Sequence, residues 1–183
     1  MGQAGAALGA APRHPMRHHE AVHVADTFDY LLGRWSVHRS LVHRDGQAGT
    51  FVGTGAFTAV AGVDESARRA RYQEAGSLRF GELSGQATRR LDYVAGTRGG
   101  PVAVLFGDGR LFIEVDLTAG SSTAHHRCGE DDYEITIRVL SAGVVEERWR
   151  VRGPAKAYDA LTTLIRLGSS TSSPGLPDRG ARL

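Results

Sequence analysis

The chain has 183 residues, a formal net charge of +2, one cysteine and 41% apolar residues, which predicts one domain with tails and a core of respectable size. The lone cysteine excludes an internal disulfide framework, and no apolar run approaches the length of a membrane-spanning helix. The sequence pI near 9.0 comes without a Lys/Arg block or a nucleic-acid-binding motif.

Lys156 is the one lysine among many arginines, which together with the Ala and Gly content looks like the codon bias of a GC-rich genome. Residues 1–17 hold no apolar stretch behind a charged start, so a secretory signal is not expected. These features imply a cytoplasmic protein with no nucleic-acid or membrane partner, present as a monomer or homodimer.

Residues 1–24 are rich in Ala, Gly, His and Pro without a period and read as a flexible arm. Its His14, His18, His19 and His23 read as solvated rather than as a metal site. Residues 169–183, rich in Ser, Gly and Pro, read as a second tail. The domain between them spans residues 25–168. Asp26 is placed to cap a short helix over residues 27–32, with Phe28, Leu31 and Leu32 on its apolar face and Gly33 ending it. Residues 34–43 then alternate, with Trp35, Val37, Arg39 and Leu41 on one face. Arg44-Asp45-Gly46 reads as a hairpin turn. A second strand covers residues 50–60, where Gly53 and Gly55 suggest a bend or close backbone approach.

Further strands are expected over residues 69–76, 78–83, 88–95, 102–106 and 110–117, the last two around Gly107-Asp108-Gly109. Residues 123–128, 133–140, 144–152 and 157–167 complete the set, the final pair split by Gly153-Pro154. The prediction is therefore an all-β, antiparallel up-and-down barrel of roughly ten strands with a short N-terminal helix. Closing the meander removes exposed edges and encloses a space. No helix-sized period interrupts the run, which excludes doubly wound and TIM architectures.

The densest chemistry lies at residues 124–133, which hold the cysteine and two of the eight histidines. Strand alternation puts His126 and Cys128 on one face and His125 and Arg127 on the other. A turn over residues 129–132 then leads to Tyr133, Ile135, Ile137 and Val139 on the inner face. The expected product is a hairpin aiming an imidazole, a thiol and a phenol into one enclosed space. The residues alone admit a packed core, a ligand-contacting cluster, or a metal site for which His-x-Cys supplies only two ligands.

At Gly33-Arg34-Trp35 the sequence resembles the calycin superfamily (lipocalins and fatty-acid-binding proteins), whose signature is a Gly-x-Trp entering the first strand after a short helix. The resemblance implies that an arginine of the last strand, here Arg166, lies over Trp35 and closes the barrel base by cation–π contact. A narrower likeness covers residues 28–166 and resembles the bacterial family of unknown function DUF6314. It is carried by Leu32-Gly33-Arg34-Trp35 with Arg39, by Tyr72 and Glu74, and by Gly109-Arg110-x-Phe112. His126-x-Cys128-x-x-Asp131-x-Tyr133, Trp149-x-Val151-x-Gly153-Pro154-x-Lys156 and Arg166 complete it. The family pattern places a histidine after the Phe112 position, where this chain has Ile113. A metal or haem site built on two histidines therefore lacks its second imidazole.

Polar residues on inner faces are the remaining signal. Arg39 needs a partner or an anionic ligand, and Glu74 or Glu147 could neutralise it. Lys156, after Gly153-Pro154, sits at a turn where it could steer an acidic ligand or form a Schiff base. Trp149 and Tyr158 read as wall residues able to stack on a planar ligand. The expected function is small-molecule binding, with a partly apolar guest, neutral or anionic, held by Arg39, Glu74, Trp149, Lys156 and Tyr158, and with no cofactor and no metal. The alternative is a cofactor-independent cyclase, isomerase or lyase. In it His126 is the general acid or base, Asp131 or Tyr133 tunes it, and Cys128 is a candidate nucleophile.

Overall fold

The computed structural model of the protein describes residues 22–61, 67–96, 98–154 and 156–168. Most of the expected N-terminal arm and the tail over residues 169–183 lie outside the described residues. Val22 and Val24, assigned above to the arm, instead pack against the core, with Val24 buried. Two apolar side chains find cover there, so the folded unit reaches further upstream than residue 25.

A helix α1 (Thr27–Leu31) leads into ten strands. They are β1 (Gly33–His43), β2 (Ala48–Val60), β3 (Arg68–Phe80), β4 (Leu83–Ala95) and β5 (Val102–Leu105), followed by β6 (Leu111–Val115), β7 (Ser121–Cys128), β8 (Asp131–Ser141), β9 (Val144–Arg152) and β10 (Tyr158–Arg166). They form one antiparallel sheet in the order β6-β5-β4-β3-β2-β1-β10-β9-β8-β7. The first strand joins the last, with Trp35 opposite Arg166 and His43 opposite Tyr158. The sheet thus rolls into a nearly closed barrel whose seam falls between β6 and β7. No backbone ladder joins those two strands among the described residues. Side chains bridge the seam: the Phe112 and His126 rings lie 5.0 Å apart, and the Asp116 amide donates to Ser122 Oγ at 3.2 Å.

The helix closes one end. Asp26 Oδ1 accepts from the Asp29 amide at 2.9 Å, the N-cap bond expected of an aspartate there. Gly33 (φ +116°) turns the chain into β1 in a conformation other residues rarely adopt. Trp35 follows, fully buried, its indole N–H donating to Leu31 O at 2.9 Å. The Arg166 guanidinium lies 4.1 Å above the indole ring and donates to the Leu32 and Tyr30 carbonyls. It therefore satisfies carbonyls that the short helix leaves without partners. Beside it, Arg68 bonds Asp26 and Asp29 and lies 4.9 Å over the Phe28 ring.

The three strands expected over residues 69–95 are two longer ones: β3 runs on through Ser77, and the turn falls at Gly81-Glu82 rather than over residues 84–87. Gly76 does not break β3; it pairs with Gly53 of β2. A Cβ on Gly53 would lie 2.3 Å from Ala75 O, and one on Gly76 2.3 Å from Val52 O. Glycine is required there by close backbone approach, which curves the sheet. The predicted turn over residues 129–132 is also shorter, because β8 starts at Asp131.

Two outcomes follow from the closed end. Arg166→Leu removes the guanidinium from Trp35 and unpairs two carbonyls, so urea denaturation is expected to show a loss of about 2–4 kcal/mol. Asp26 is held well below the usual carboxylate range, chiefly by its Arg68 hydrogen bond against the pull of burial, with the Asp29 and Gly99 amides helping. A carboxyl with a depressed folded-state pKa stabilises the fold fully above the unfolded value, near pH 4, and loses that contribution as pH falls. The urea midpoint is expected to drop on going from pH 7 to pH 3, and Asp26→Asn to flatten that dependence while lowering stability at pH 7.

Candidate functional site

Register and alternation decide which side chains enter the lumen. Trp35, Gly55, Glu74 and Arg89 are cross-strand neighbours along β1 to β4. Arg39, Thr162, Glu147 and Ile137 form a second row along β1, β10, β9 and β8. Both rows face inward, and their Arg39, Glu74, Arg89, Glu147 and Thr162 form a polar layer between the Trp35 end and the mouth. Below it, toward α1, the lumen is apolar, with Phe57, Leu91, Val104, Val115, Val139, Val145 and Leu164 buried. Above it lies the mouth, at the β7–β8 hairpin and the β9–β10 connection.

Glu74, 4% exposed, is the hub of the polar layer. Arg39 grips it with two bonds, Nη1 to Oε1 at 2.8 Å and Nη2 to Oε2 at 3.1 Å, and donates Nε to Thr162 Oγ1 at 2.9 Å. The Tyr72 hydroxyl donates to Glu74 Oε2 at 2.7 Å, and Arg89 Nη2 donates to the same oxygen at 3.3 Å. Burial pushes the Glu74 pKa up, but the Arg39 bond, the two guanidinium charges and the Tyr72 hydroxyl outweigh it, so the carboxylate sits below its ordinary range. Tyr72 moves the other way: burial, then the Glu74 charge, raise it and keep the phenol protonated as a donor.

Arg89 also faces the lumen. Its guanidinium lies 5.6 Å from the Tyr72 ring and 5.5 Å from the Trp149 ring. Burial disfavours its charge, yet Glu147 and then Glu74 raise its pKa on balance. The Trp149 indole N–H donates to Glu147 Oε1. Tyr93, packed edge-on against Phe57 at 5.0 Å, has its pKa raised by burial and by Glu147. Arg89 and Tyr93 were not singled out from sequence. A signal was present: Arg89 shares strand phase with Leu91, Tyr93 and Ala95, which predicts an inward guanidinium.

At the mouth, Tyr133 is buried and accepts from Lys156 Nζ at 2.9 Å. That bond raises the Lys156 pKa, the opposite of what a Schiff-base lysine needs. Burial raises Tyr158 nearby. Asp131 is buried and accepts from the Lys156 amide at 3.3 Å, which anchors the β9–β10 connection. A Cβ at Gly153 would meet Asp131 Oδ1 at 2.0 Å, so glycine is required beside it. His126 is half-buried among rings, 5.5 Å from Phe106, 5.0 Å from Phe112 and 5.9 Å from Tyr133. It makes no hydrogen bond among the described residues.

Cys128 departs from expectation. It shares the inward phase of His126 but is exposed, because β7 ends there and the side chain projects past the rim. The imidazole and thiol therefore do not share an enclosed space. Lys156, Tyr133, Tyr158 and His126 gather at the mouth, whereas Arg39 and Glu74 bind each other in the middle layer. Trp149 joins the groups, 6.2 Å from the Tyr133 ring. Arg39 gives three of its five N–H donors to Glu74 and Thr162, so its charge is already paired inside the barrel. Among the described residues, no three His, Cys, Asp or Glu side chains converge as a metal site, and no helix is long and apolar enough to cross a membrane.

The model of a family described as "Family of unknown function (DUF6314)" matches residues 31–166. No curated protein matches the chain. Among solved structures, the chain is similar to the S-type phycobiliprotein lyase CPES from Guillardia theta. The TM-score is 0.60 at 16% identity, over 78% of this chain and 92% of that one. A protein of unknown function from the DUF3598 family of Nostoc punctiforme aligns with TM-score 0.47 at 17% identity, over 77% of this chain and 49% of that one. EF1p2_mFAP2b bound to DFHBI aligns with TM-score 0.38 at 12% identity, over 78% and 98%. The first of these shares the antiparallel barrel fold.

Removing one partner from a buried charge cluster strands the others. Glu74→Leu is expected to cost about 3–5 kcal/mol in urea denaturation, with the Arg39→Met, Glu74→Leu double variant recovering most of the loss.

Proposed function

Because the chain belongs to the DUF6314 family, whose function is unknown, its role has to be argued from its own interior, and we propose that it is a small-molecule-binding barrel holding a partly apolar guest in its lumen. One observation carries this reading. Side chains that point inward keep accessible surface: the Arg89 side chain is 26% exposed, and Tyr93, Ile137, Glu147, Trp149 and Tyr158 are only half-buried. In a core packed to ordinary density such residues lose nearly all of their accessible surface. What they retain has to face space inside the barrel or at its mouth. An apolar floor, a polar belt and an aromatic rim are the usual composition of a ligand pocket.

The guest enters at the mouth, where Tyr133, Tyr158 and Trp149 offer aromatic walls and Lys156 a cation. The enzyme reading is the weaker one: His126 is flanked by Phe106, Phe112 and Tyr133 and has no carboxylate bond to orient it. Its ring instead helps to seal the β6–β7 seam. The single, exposed Cys128 suits a reducing compartment, and we place the protein in the cytoplasm as a monomer or homodimer.

The test uses N-phenyl-1-naphthylamine, a neutral fluorophore that brightens in apolar surroundings. Saturable, one-to-one uptake is expected. Ile137→Trp, which fills the lumen, should abolish it, and Val52→Trp on the outer face should leave it unchanged. Uptake insensitive to Ile137→Trp, or no uptake, defeats the proposal. His126→Gln is expected to bind the fluorophore as the parent does.

A further inference from the structure

The charges inside the barrel are already matched to one another, and from this we infer that the guest is an uncharged, flat molecule with a hydrogen-bond acceptor beside a donor, as on a lactam edge, held between Arg89 and Glu147 against Trp149. This deepens the lumen-binding reading and rests on it.

The middle layer contains two arginines and two glutamates. Arg39 and Glu74 form a bidentate pair. Arg89 bonds Glu74 at 3.3 Å and has Glu147 as the strongest of its charge partners. The layer is neutral as a unit. Lys156 lies outside it, exposed at the rim and bonded to Tyr133. An anion brought into this layer would add one negative charge in a desolvated space with no cation left to meet it. Of the two partners open to Arg39 from sequence, a glutamate and an anionic guest, the glutamate holds the place.

A neutral guest still needs polar atoms. Among the described residues Arg89 gives one hydrogen bond, from Nη2 to Glu74, and its side chain keeps 26% of its surface, so guanidinium N–H groups remain to donate to an acceptor. Glu147 has accepted the Trp149 indole N–H, and a carboxylate retains further acceptor sites. A carbonyl facing Arg89 and an adjacent N–H facing Glu147 answer both needs at once. The walls set the shape. Trp149 contacts Arg89 on one side and Phe112 at 5.4 Å on another, and Tyr93 stands edge-on to Phe57. Flat aromatic walls favour a flat guest.

The probes are 2-quinolone, a neutral lactam, and quinoline-2-carboxylate, an anion of nearly the same outline, both titrated calorimetrically at pH 7. The lactam is expected to bind wild-type protein about tenfold or more tightly than the carboxylate. Glu147→Gln, which leaves Arg89 with surplus charge, is expected to reverse that order. A carboxylate that binds wild-type protein as tightly as the lactam overturns the inference, and so does an order unchanged in Glu147→Gln. If neither quinoline binds while N-phenyl-1-naphthylamine does, the inference fails and the lumen reading stands. If none of the three binds, both fall. The wild-type comparison does not depend on the variant folding.

Discussion

A carboxylate buried at the centre of a barrel cannot stay ionised without partners, and Glu74 has four of its neighbours arranged around that demand. Arg39 from β1, Tyr72 from its own strand and Arg89 from β4 all donate to it, and Thr162 from β10 holds Arg39 in place. One ionised group thereby ties together four strands far apart in sequence. A layer of hydrocarbon would be as stable or more so. What the charged layer supplies is a fixed orientation: each donor has one acceptor to meet, so the strands have one register in which the cluster is satisfied. It also keeps the centre of the barrel polar in a molecule whose closed end is apolar.

Glycines in β2 make room for that layer. Gly55 lies opposite Glu74, and a Cβ there would sit 2.7 Å from both Cε2 and the hydroxyl oxygen of Tyr72. The missing side chain lets the phenol lie across the backbone with its hydroxyl at the carboxylate. Gly53 and Gly76 make the neighbouring contact and bend the sheet. A pattern that reads in sequence as a weak strand is the physical condition for both the curvature and the site.

Much of the fold was legible because strand phase is a strong signal. The alternation through Trp35, Val37 and Arg39, and again through Tyr133, Ile135 and Ile137, fixed the inward faces of β1 and β8. The Gly33-x-Trp35 signature together with Arg166 placed the closed end. Three features were not legible. Gly76-Ser77 reads as a break when its partner glycine, in another strand, is unknown. The seam between β6 and β7 depends on closure geometry that no local pattern encodes. Exposure of Cys128 depends on where β7 ends, and alternation gives a face without saying whether barrel wall continues above it. Arg89 was legible in principle, since it shares the phase of Leu91 and Tyr93, but Arg89-Arg90 looks like a solvated pair until the phase is followed.

The same reasoning decides how an interior arginine is to be read. Arg39 and Arg89 have the same charge and both enter the lumen, yet they are not equivalent. Arg39 meets a bidentate acceptor and a hydroxyl, which match its charge and fix its geometry, as a scaffold requires. Arg89 shares one oxygen of an acceptor already used by two other donors and keeps unused N–H donors and accessible surface. Incomplete satisfaction, more than charge, separates a residue that holds the barrel together from one that can hold a guest. By that criterion the proposed site lies at the facing walls of β4 and β9 rather than at the His126–Cys128 hairpin, which sequence emphasised.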